Sequence, residues 1–249
     1  MKRQEEEVKV MERKVKGKST ETLAAAKERP ELYTPIHKGI RSRLFKTSIK
    51  AGRIDYTDQE SVKGFHDEFM SLAANIRHHH TMEEKFYHPL LSERVPGGAE
   101  KLLEDHHMVD HMLDNLVTHL EGIISKSADF KKHGELGQEF YMAFNRFVAF
   151  FMTHIDEEEE HIQPTLWDLC TFEELDTAEM TLIASQKPEE ARENLEMILT
   201  SANLDDLADL LGRAKADVPP EMVQAVFQLA ESILDARDWA ALKSRIGIK

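Results

Sequence analysis

Two stretches of the chain contain a histidine followed by a glutamate four residues later. His79 precedes Glu83 and His154 precedes Glu158, and a proline follows ten residues after each histidine. Four residues make about one helical turn, so the two side chains of each pair leave the same face of a helix. Imidazole nitrogens and carboxylate oxygens together suit iron, manganese or zinc. The repeat therefore predicts a metal site with one such pair from each of two helices.

An apolar stripe leads into each pair at the same spacing. The positions ten, seven and three residues before each histidine are apolar in both stretches: Phe69, Leu72 and Ile76 in the first, and Phe144, Phe147 and Phe151 in the second. This spacing is typical of the buried face of an amphipathic helix. Because unpaired carboxylates at the end of a buried stripe are costly, we expect a bound cation to offset their charge. The alternative is an ordinary glutamate–histidine pair on a solvated helix face.

Four long amphipathic segments with short connections must position these pairs. The segments begin near Pro35, at Thr57 or Asp58, near residue 99 and near residue 135, and the last three end near residues 92, 126 and 169. With almost no strand signal, they predict an all-α fold, an up-down-up-down four-helix bundle with additional N- and C-terminal helices. His37 and His106 lie early in the first and third helices, whereas His79 and His154 lie late in the second and fourth. In an antiparallel bundle these positions meet at one end.

The third helix offers a choice of histidine. Apolar residues follow His106 at three and seven positions, as they follow His37, so His106 is the preferred inward residue. His107 and His111, which are four residues apart, form a second ligand-capable pair and are kept in reserve. His78 and His80 flank His79 and are expected to point away from the helix face of His79. At most they would contact residues that bind the metal, without binding it themselves.

A ferritin-type diiron site is a weaker alternative. Glu104 and His107, like Glu158 and His161, have the required Glu-x-x-His spacing. That architecture also needs a glutamate from each of the other two helices. The first helix has only basic and apolar residues around His37, so this alternative is disfavoured.

Composition narrows the class of partner and the compartment. The 249 residues carry a net charge of −14, which disfavours binding to nucleic acid or an anionic membrane. One cysteine, Cys170, is compatible with a reducing compartment. The charged N-terminal stretch does not resemble a signal peptide, and no apolar run is long enough to span a bilayer. We therefore expect a cytoplasmic protein.

The chain divides into three parts by pattern. Residues 1–32 form a charged N-terminal segment, 33–170 form the metal-binding bundle, and 171–249 form a helical region of unknown role. The third part contains apolar positions at helical spacing but no ligand-type cluster. It would pack on the bundle or on a second copy, which would allow a homodimer through the C-terminal helices.

Four segments resemble the cation-binding motifs of the hemerythrin-like (HHE) family. They are IHKGIR, HHHTMEEKFYHPLL, EDHHMVDHML and HIDEEEEHIQPTLW, within residues 33–169. The resemblance implies two Fe ions joined by an oxo or hydroxo bridge, with Mn or Zn as alternatives. It implies bridging carboxylates and terminal imidazoles at the matching positions, which are Glu83, Glu158, His37, His79, His106 and His154.

The same resemblance implies a small diatomic partner, dioxygen above all, and a role in binding or sensing dioxygen or iron. The oxygen carriers of the family use five histidines, two of them from a His-x3-His on the third helix. His107 and His111 have that spacing, but their register disagrees with that of His106. The alternatives are a diiron enzyme that acts as an oxidase or consumes peroxide or nitric oxide, and an interaction protein stabilised by metal.

Overall fold

A computed structural model describes residues 29–125 and 130–248, so the predicted charged segment lies outside it except for residues 29–32. Every regular element in the described ranges is helical. The elements are α1 Thr34–Ala51, α2 Gln59–Phe86, α3 His88–Arg94, α4 Glu100–Ser125, α5 Phe130–Glu157, a π-helical turn Glu158–Ile162, α6 Gln163–Leu169, α7 Phe172–Ser185, α8 Pro188–Leu199, α9 Leu204–Asp217, α10 Pro220–Ile233 and α11 Ala236–Arg245.

The four long helices α1, α2, α4 and α5 form the predicted bundle. Each contacts its two neighbours in cyclic order, so α1 packs on α2 and α5, and α4 packs on α2 and α5. The apolar stripes face inward and are fully buried, and successive phenylalanine rings of α5 stack along the core with centroids about 6 Å apart. The all-α bundle prediction is confirmed.

Local signals explain where the bundle helices begin. Pro35 lies in the first turn of α1, where its missing N–H costs nothing. Asp58 caps α2, as predicted, because its carboxylate accepts a hydrogen bond from the Glu60 backbone N–H at 3.1 Å. Gly97 adopts a φ of 78° in the turn before α4, a conformation that favours glycine.

Two helices that the sequence predicts as continuous are interrupted at equivalent places. The second predicted helix divides into α2 and α3 at Tyr87, and the fourth divides into α5 and α6 through the π-helical turn. Pro89 and Pro164 follow these breaks and lie in the first turns of α3 and α6. Proline lacks the N–H that a continuous helix needs, so the backbone rearranges just upstream of it.

The helices after α6 pack on the bundle and on each other. Helices α8 to α11 share an apolar core that includes Leu199, Leu211 and Leu242. Helix α8 approaches α1 closely, since a Cβ on Gly39 would lie 2.8 Å from the Met197 Cβ. Helix α7 contributes Leu175 to a cluster at the end of the bundle where the predicted histidines lie. The domain boundaries stay a prediction.

None of the helices in the described ranges has both the length and the apolar character needed to cross a membrane.

Candidate metal centre

The six residues predicted to bind metal lie together at one end of the bundle. All are buried, and each of the four long helices contributes at least one of them: His37, His79, Glu83, His106, His154 and Glu158. Helix α2 supplies the pair His79 and Glu83, and α5 with the π-helical turn that follows it supplies His154 and Glu158, whereas α1 and α4 each supply one histidine. The convergence follows from the antiparallel arrangement, which brings the start of α1 and α4 beside the end of α2 and α5.

Glu83 lies among imidazoles from three helices. Its carboxylate oxygens are 3.1 Å from the His79 Nε2, 3.5 Å from the His106 Nε2 and 3.7 Å from the His37 Nε2. The Nε2 atoms of His37 and His79 are themselves 3.0 Å apart. All three rings therefore direct the same nitrogen towards this carboxylate.

Glu158, the first residue of the π-helical turn after α5, has the matching position on the opposite side of the cluster. Its oxygens lie 3.4 Å from the Nε2 atoms of both His154 and His37, and 3.7 Å from the His106 Nε2. Glu83 and Glu158 each contact both His37 and His106. Each carboxylate thus lies between the two sides of the cluster, as a bridging ligand would.

The polar atoms at the centre are not satisfied by protein groups. The four carboxylate oxygens of Glu83 and Glu158 have no hydrogen-bond partner among the described residues. Burial raises the pKa of both carboxyls well above the usual value, and neighbouring carboxylates add to the rise. Because buried polar groups are normally paired, these orphaned oxygens indicate a missing cationic partner.

The imidazoles are held in the neutral form that binds metals. Burial lowers the pKa of His106 and of His154 to about 3, and it lowers the pKa of His79 well below the usual value. A neutral imidazole offers a lone pair to a metal, whereas a protonated ring does not. The donor set therefore fits a metal centre.

Outer carboxylates orient two of the rings. Glu159 lies 2.9 Å from the His37 Nδ1, and Glu84 lies 2.8 Å from the His106 Nδ1. Arg41 holds Glu159 through two hydrogen bonds of 2.7 and 3.1 Å. Such a carboxylate fixes the proton on Nδ1 and leaves the Nε2 lone pair available to a metal ion.

Charge balance at Glu159 suits this role. Burial acts to raise the pKa of its carboxyl, but hydrogen bonds from His37 and Arg41 outweigh burial and lower the pKa to about 2. Glu159 therefore stays ionised and makes the imidazole of His37 a stronger donor.

The centre has an approximate two-fold symmetry. The consecutive pairs Glu83–Glu84 and Glu158–Glu159 play the same parts, since the first glutamate lies in the centre and the second holds a histidine Nδ1 on another helix. The symmetry relates α1 to α4 and α2 to α5. It provides a way to compare each residue with its counterpart.

His80 joins the centre, which differs from the expectation. Its ring is buried and lies parallel to the His106 ring with centroids 3.8 Å apart, and both of its nitrogens lack a partner in the described chain. Ligand atoms of His80, His106 and His154 all lie within 4.8 Å of one another. The residue related to His80 by the symmetry is Ile155, which is also buried. That apolar counterpart is the sequence signal that this helix position faces inward.

Two further buried polar residues border the centre. The His88 ring stacks at 5.2 Å from that of His106, and burial lowers its pKa to about 4. The Tyr33 ring lies 5.6 Å from that of His37. Burial raises the pKa of the Tyr33 hydroxyl well above 10, and the carboxylates of Glu83 and Glu158 raise it further, so the group stays a neutral phenol.

The reserve residues on the third helix lie elsewhere. His107 and His111 are exposed, and the His111 Nε2 is 3.2 Å from the side-chain amide of Asn115. Glu104 and His161, which the ferritin-type alternative requires, are also exposed. The inward residue of α4 is His106, as the helical register predicts.

Comparison with known proteins agrees with the site. The model of the family described as Hemerythrin HHE cation binding domain matches residues 31–166, which is more than half of the chain. Searches of curated proteins and of solved structures each returned no match. The matched range includes every residue of the centre described above, and the chain therefore belongs to the hemerythrin family of HHE cation-binding domains.

Proposed function

We propose that this protein holds two iron ions at the end of its bundle and uses them to bind or sense dioxygen or another small diatomic molecule. The observation that carries the proposal is the pair of buried carboxylates, Glu83 and Glu158. Their four oxygens have no hydrogen-bond partner within residues 29–125 and 130–248, and they face neutral imidazoles on both sides.

The donors separate into two sides that share the carboxylates. His37 and His79 form one group of ligand atoms with Glu83 and Glu158. The second side consists of His80, His106 and His154. Sharing two carboxylates between two cations, together with an oxide or hydroxide, would offset most of the charge of a ferric pair. The arrangement supports a dinuclear site more than a mononuclear one.

The number and type of donors favour iron or manganese over zinc. Structural zinc is usually held by four ligands in a tetrahedron, and its soft thiolate ligands are absent from the described cluster. Eight nitrogen- and oxygen-donating side chains, His88 included, lie in groups that could hold a metal, and eight exceed what a single zinc ion takes. Imidazoles mixed with bridging carboxylates are the donor set of non-haem iron in helical bundles.

The two sides would hold their ions unequally. With two shared carboxylates and one solvent-derived bridge, the side with His80 would have about six donors and the side with His37 about five. The open position on the two-histidine side supports binding of a small ligand. The fifth histidine would come from α2 rather than from the His-x3-His spacing on the third helix.

Metal content in ligand variants tests the proposal. Substitution of His79 or His154 by alanine should lower the iron content per chain strongly. His80→Ala should cause loss of the iron ion held by His80, His106 and His154 only. His78→Ala is the matched control, since His78 is adjacent in sequence but only partly buried, and it should retain full iron. Equal losses in all four variants would contradict the assignment of faces, and iron retained in His79→Ala and His154→Ala would contradict the site itself.

A further inference from the structure

Tyr33 is a buried side chain whose hydroxyl has no protein partner in the described chain. It precedes α1 directly, is fully buried, and lies beside His37 with ring centroids 5.6 Å apart. Gln163 fixes the backbone here, because its Oε1 accepts hydrogen bonds from the N–H groups of Leu32 and Tyr33 at 2.8 and 3.2 Å. The phenol is therefore held in place while its polar end is unused, and a buried unpaired hydroxyl requires an explanation.

The two-fold symmetry shows that packing alone does not require a hydroxyl at this position. Tyr33 lies four residues before His37, and its counterpart four residues before His106 is Leu102. Both residues are buried in the same apolar cluster. On the side of His80, His106 and His154 this position is filled by the aliphatic side chain of Leu102. On the side of His37 and His79 it is filled by the phenol of Tyr33. The hydroxyl is thus an addition specific to the side of His37 and His79.

That side is also the one with the open coordination position in the proposed dinuclear site, on which this inference rests. His80 supplies a third imidazole only to the side of His106 and His154. An exogenous ligand would consequently bind beside His37, and a neutral phenol next to it is a donor for a ligand that carries negative charge.

We propose that the Tyr33 hydroxyl donates a hydrogen bond to the small exogenous ligand held on the His37–His79 side, and so sets the affinity for ligands with anionic character. Apolar residues such as Leu91 and Leu166 complete the cluster around Tyr33 and exclude water from its surroundings. In such surroundings a hydrogen bond to an anion is stronger than it is in water.

Azide titration of the iron-loaded protein, followed by its absorption band, tests this role. Tyr33→Phe should retain iron and weaken azide binding about tenfold, as expected for loss of one charge-assisted hydrogen bond. Tyr87→Phe is the matched control, because Tyr87 is buried and its ring lies 5.3 Å from that of Tyr33. It should change azide affinity by less than about twofold.

A second measurement separates a ligand-binding role from a structural one. Without metal, Tyr33→Phe should unfold at the same or a higher denaturant concentration than the parent, since it removes an unpaired buried hydroxyl. Unchanged azide affinity in the fully iron-loaded Tyr33→Phe variant would overturn the role of Tyr33 but not the dinuclear proposal. A clear loss of stability in the metal-free variant would do the same. Failure of the parent protein to bind iron or azide would overturn the dinuclear proposal as well.

Discussion

Glu159 provides the sharpest test of how the fold prepares its metal ligands. It belongs to a run of four glutamates in which Glu158 lies in the centre, Glu159 contacts the His37 Nδ1 at 2.9 Å, and Glu157 and Glu160 are exposed. Removing Glu159 should leave the ligands in place but free the His37 ring to rotate and lower its basicity. Loss of such a partner weakens metal affinity about 10–100-fold, or about 1.4–2.7 kcal/mol.

The size of the effect should depend on the replacement. Glutamine keeps an oxygen that can accept from Nδ1 but loses the charge, so Glu159→Gln should be near the tenfold end. Alanine loses both, so Glu159→Ala should be near the 100-fold end. The matched control is Glu157→Gln, which changes an exposed carboxylate two residues away that pairs with His161 at 3.4 Å.

Competition with a calibrated chelator measures the affinity, and denaturant unfolding of the metal-free forms controls for folding. Arg41 retains Asp156 as a partner at 2.9 Å, so the variants should fold normally. The reasoning is refuted if Glu159→Ala and Glu157→Gln bind metal equally well. It is also refuted if Glu159→Ala weakens binding only in proportion to a loss of stability in the metal-free protein.

Two further predictions concern the stability of the metal-free protein. Burial raises the folded-state pKa of Glu83, so the folded protein retains a proton that the unfolded chain releases, and stability falls as pH rises from about 4.5 towards the raised value. Glu83→Gln should therefore stabilise the metal-free protein at pH 8 and stabilise it less at pH 4, while metal content falls. Denaturant unfolding at the two pH values checks this, and an equal gain at both would contradict it. Gly39→Ala should destabilise by about 1–3 kcal/mol, because its Cβ would lie 2.8 Å from that of Met197. Gly64→Ala on α2 is the control, because a Cβ there would meet nothing within 4 Å, and it should be neutral or slightly stabilising. Thermal unfolding of both variants measures the two effects. Equal effects would contradict the close packing of α8 on α1.

The convergence of the centre was predictable because it depends on two regular features. The four-residue spacing fixes which helix face carries each pair, and antiparallel connectivity brings the ends of α2 and α5 to the starts of α1 and α4. Helix geometry also predicts that His106 rather than His107 faces inward, because the register of His106 matches that of His37. These inferences need only helix geometry.

His80 and Tyr33 escaped prediction for different physical reasons. His80 is one residue, and so about 100° around the helix, from His79, which placed it off the apolar stripe. At this end of the bundle the inward surface is broader than the stripe, as the buried Ile155 shows for the related helix. The position of Tyr33 depends on Gln163, which accepts hydrogen bonds from the backbone of Leu32 and Tyr33. Gln163 is about 130 positions away along the chain, so these contacts leave no local signal in the sequence.

The helix interruptions and the C-terminal packing were only partly predictable. Pro89 and Pro164 lie just after the two breaks, but the apolar spacing is compatible with continuous helices and does not report the π-helical turn Glu158–Ile162. The helical character of residues 171–249 follows from apolar spacing. The contact between Gly39 and Met197 joins distant parts of the chain, and no periodic pattern reports it.

The most direct test of the central claim is the iron content per chain, together with the optical spectrum in air, after anaerobic reduction and after return of dioxygen. A site bridged by Glu83 and Glu158 predicts close to two irons per chain, with oxo-bridge bands that bleach on reduction and return with dioxygen. Zinc alone, or a single iron without such bands after growth in iron-replete medium, would contradict it.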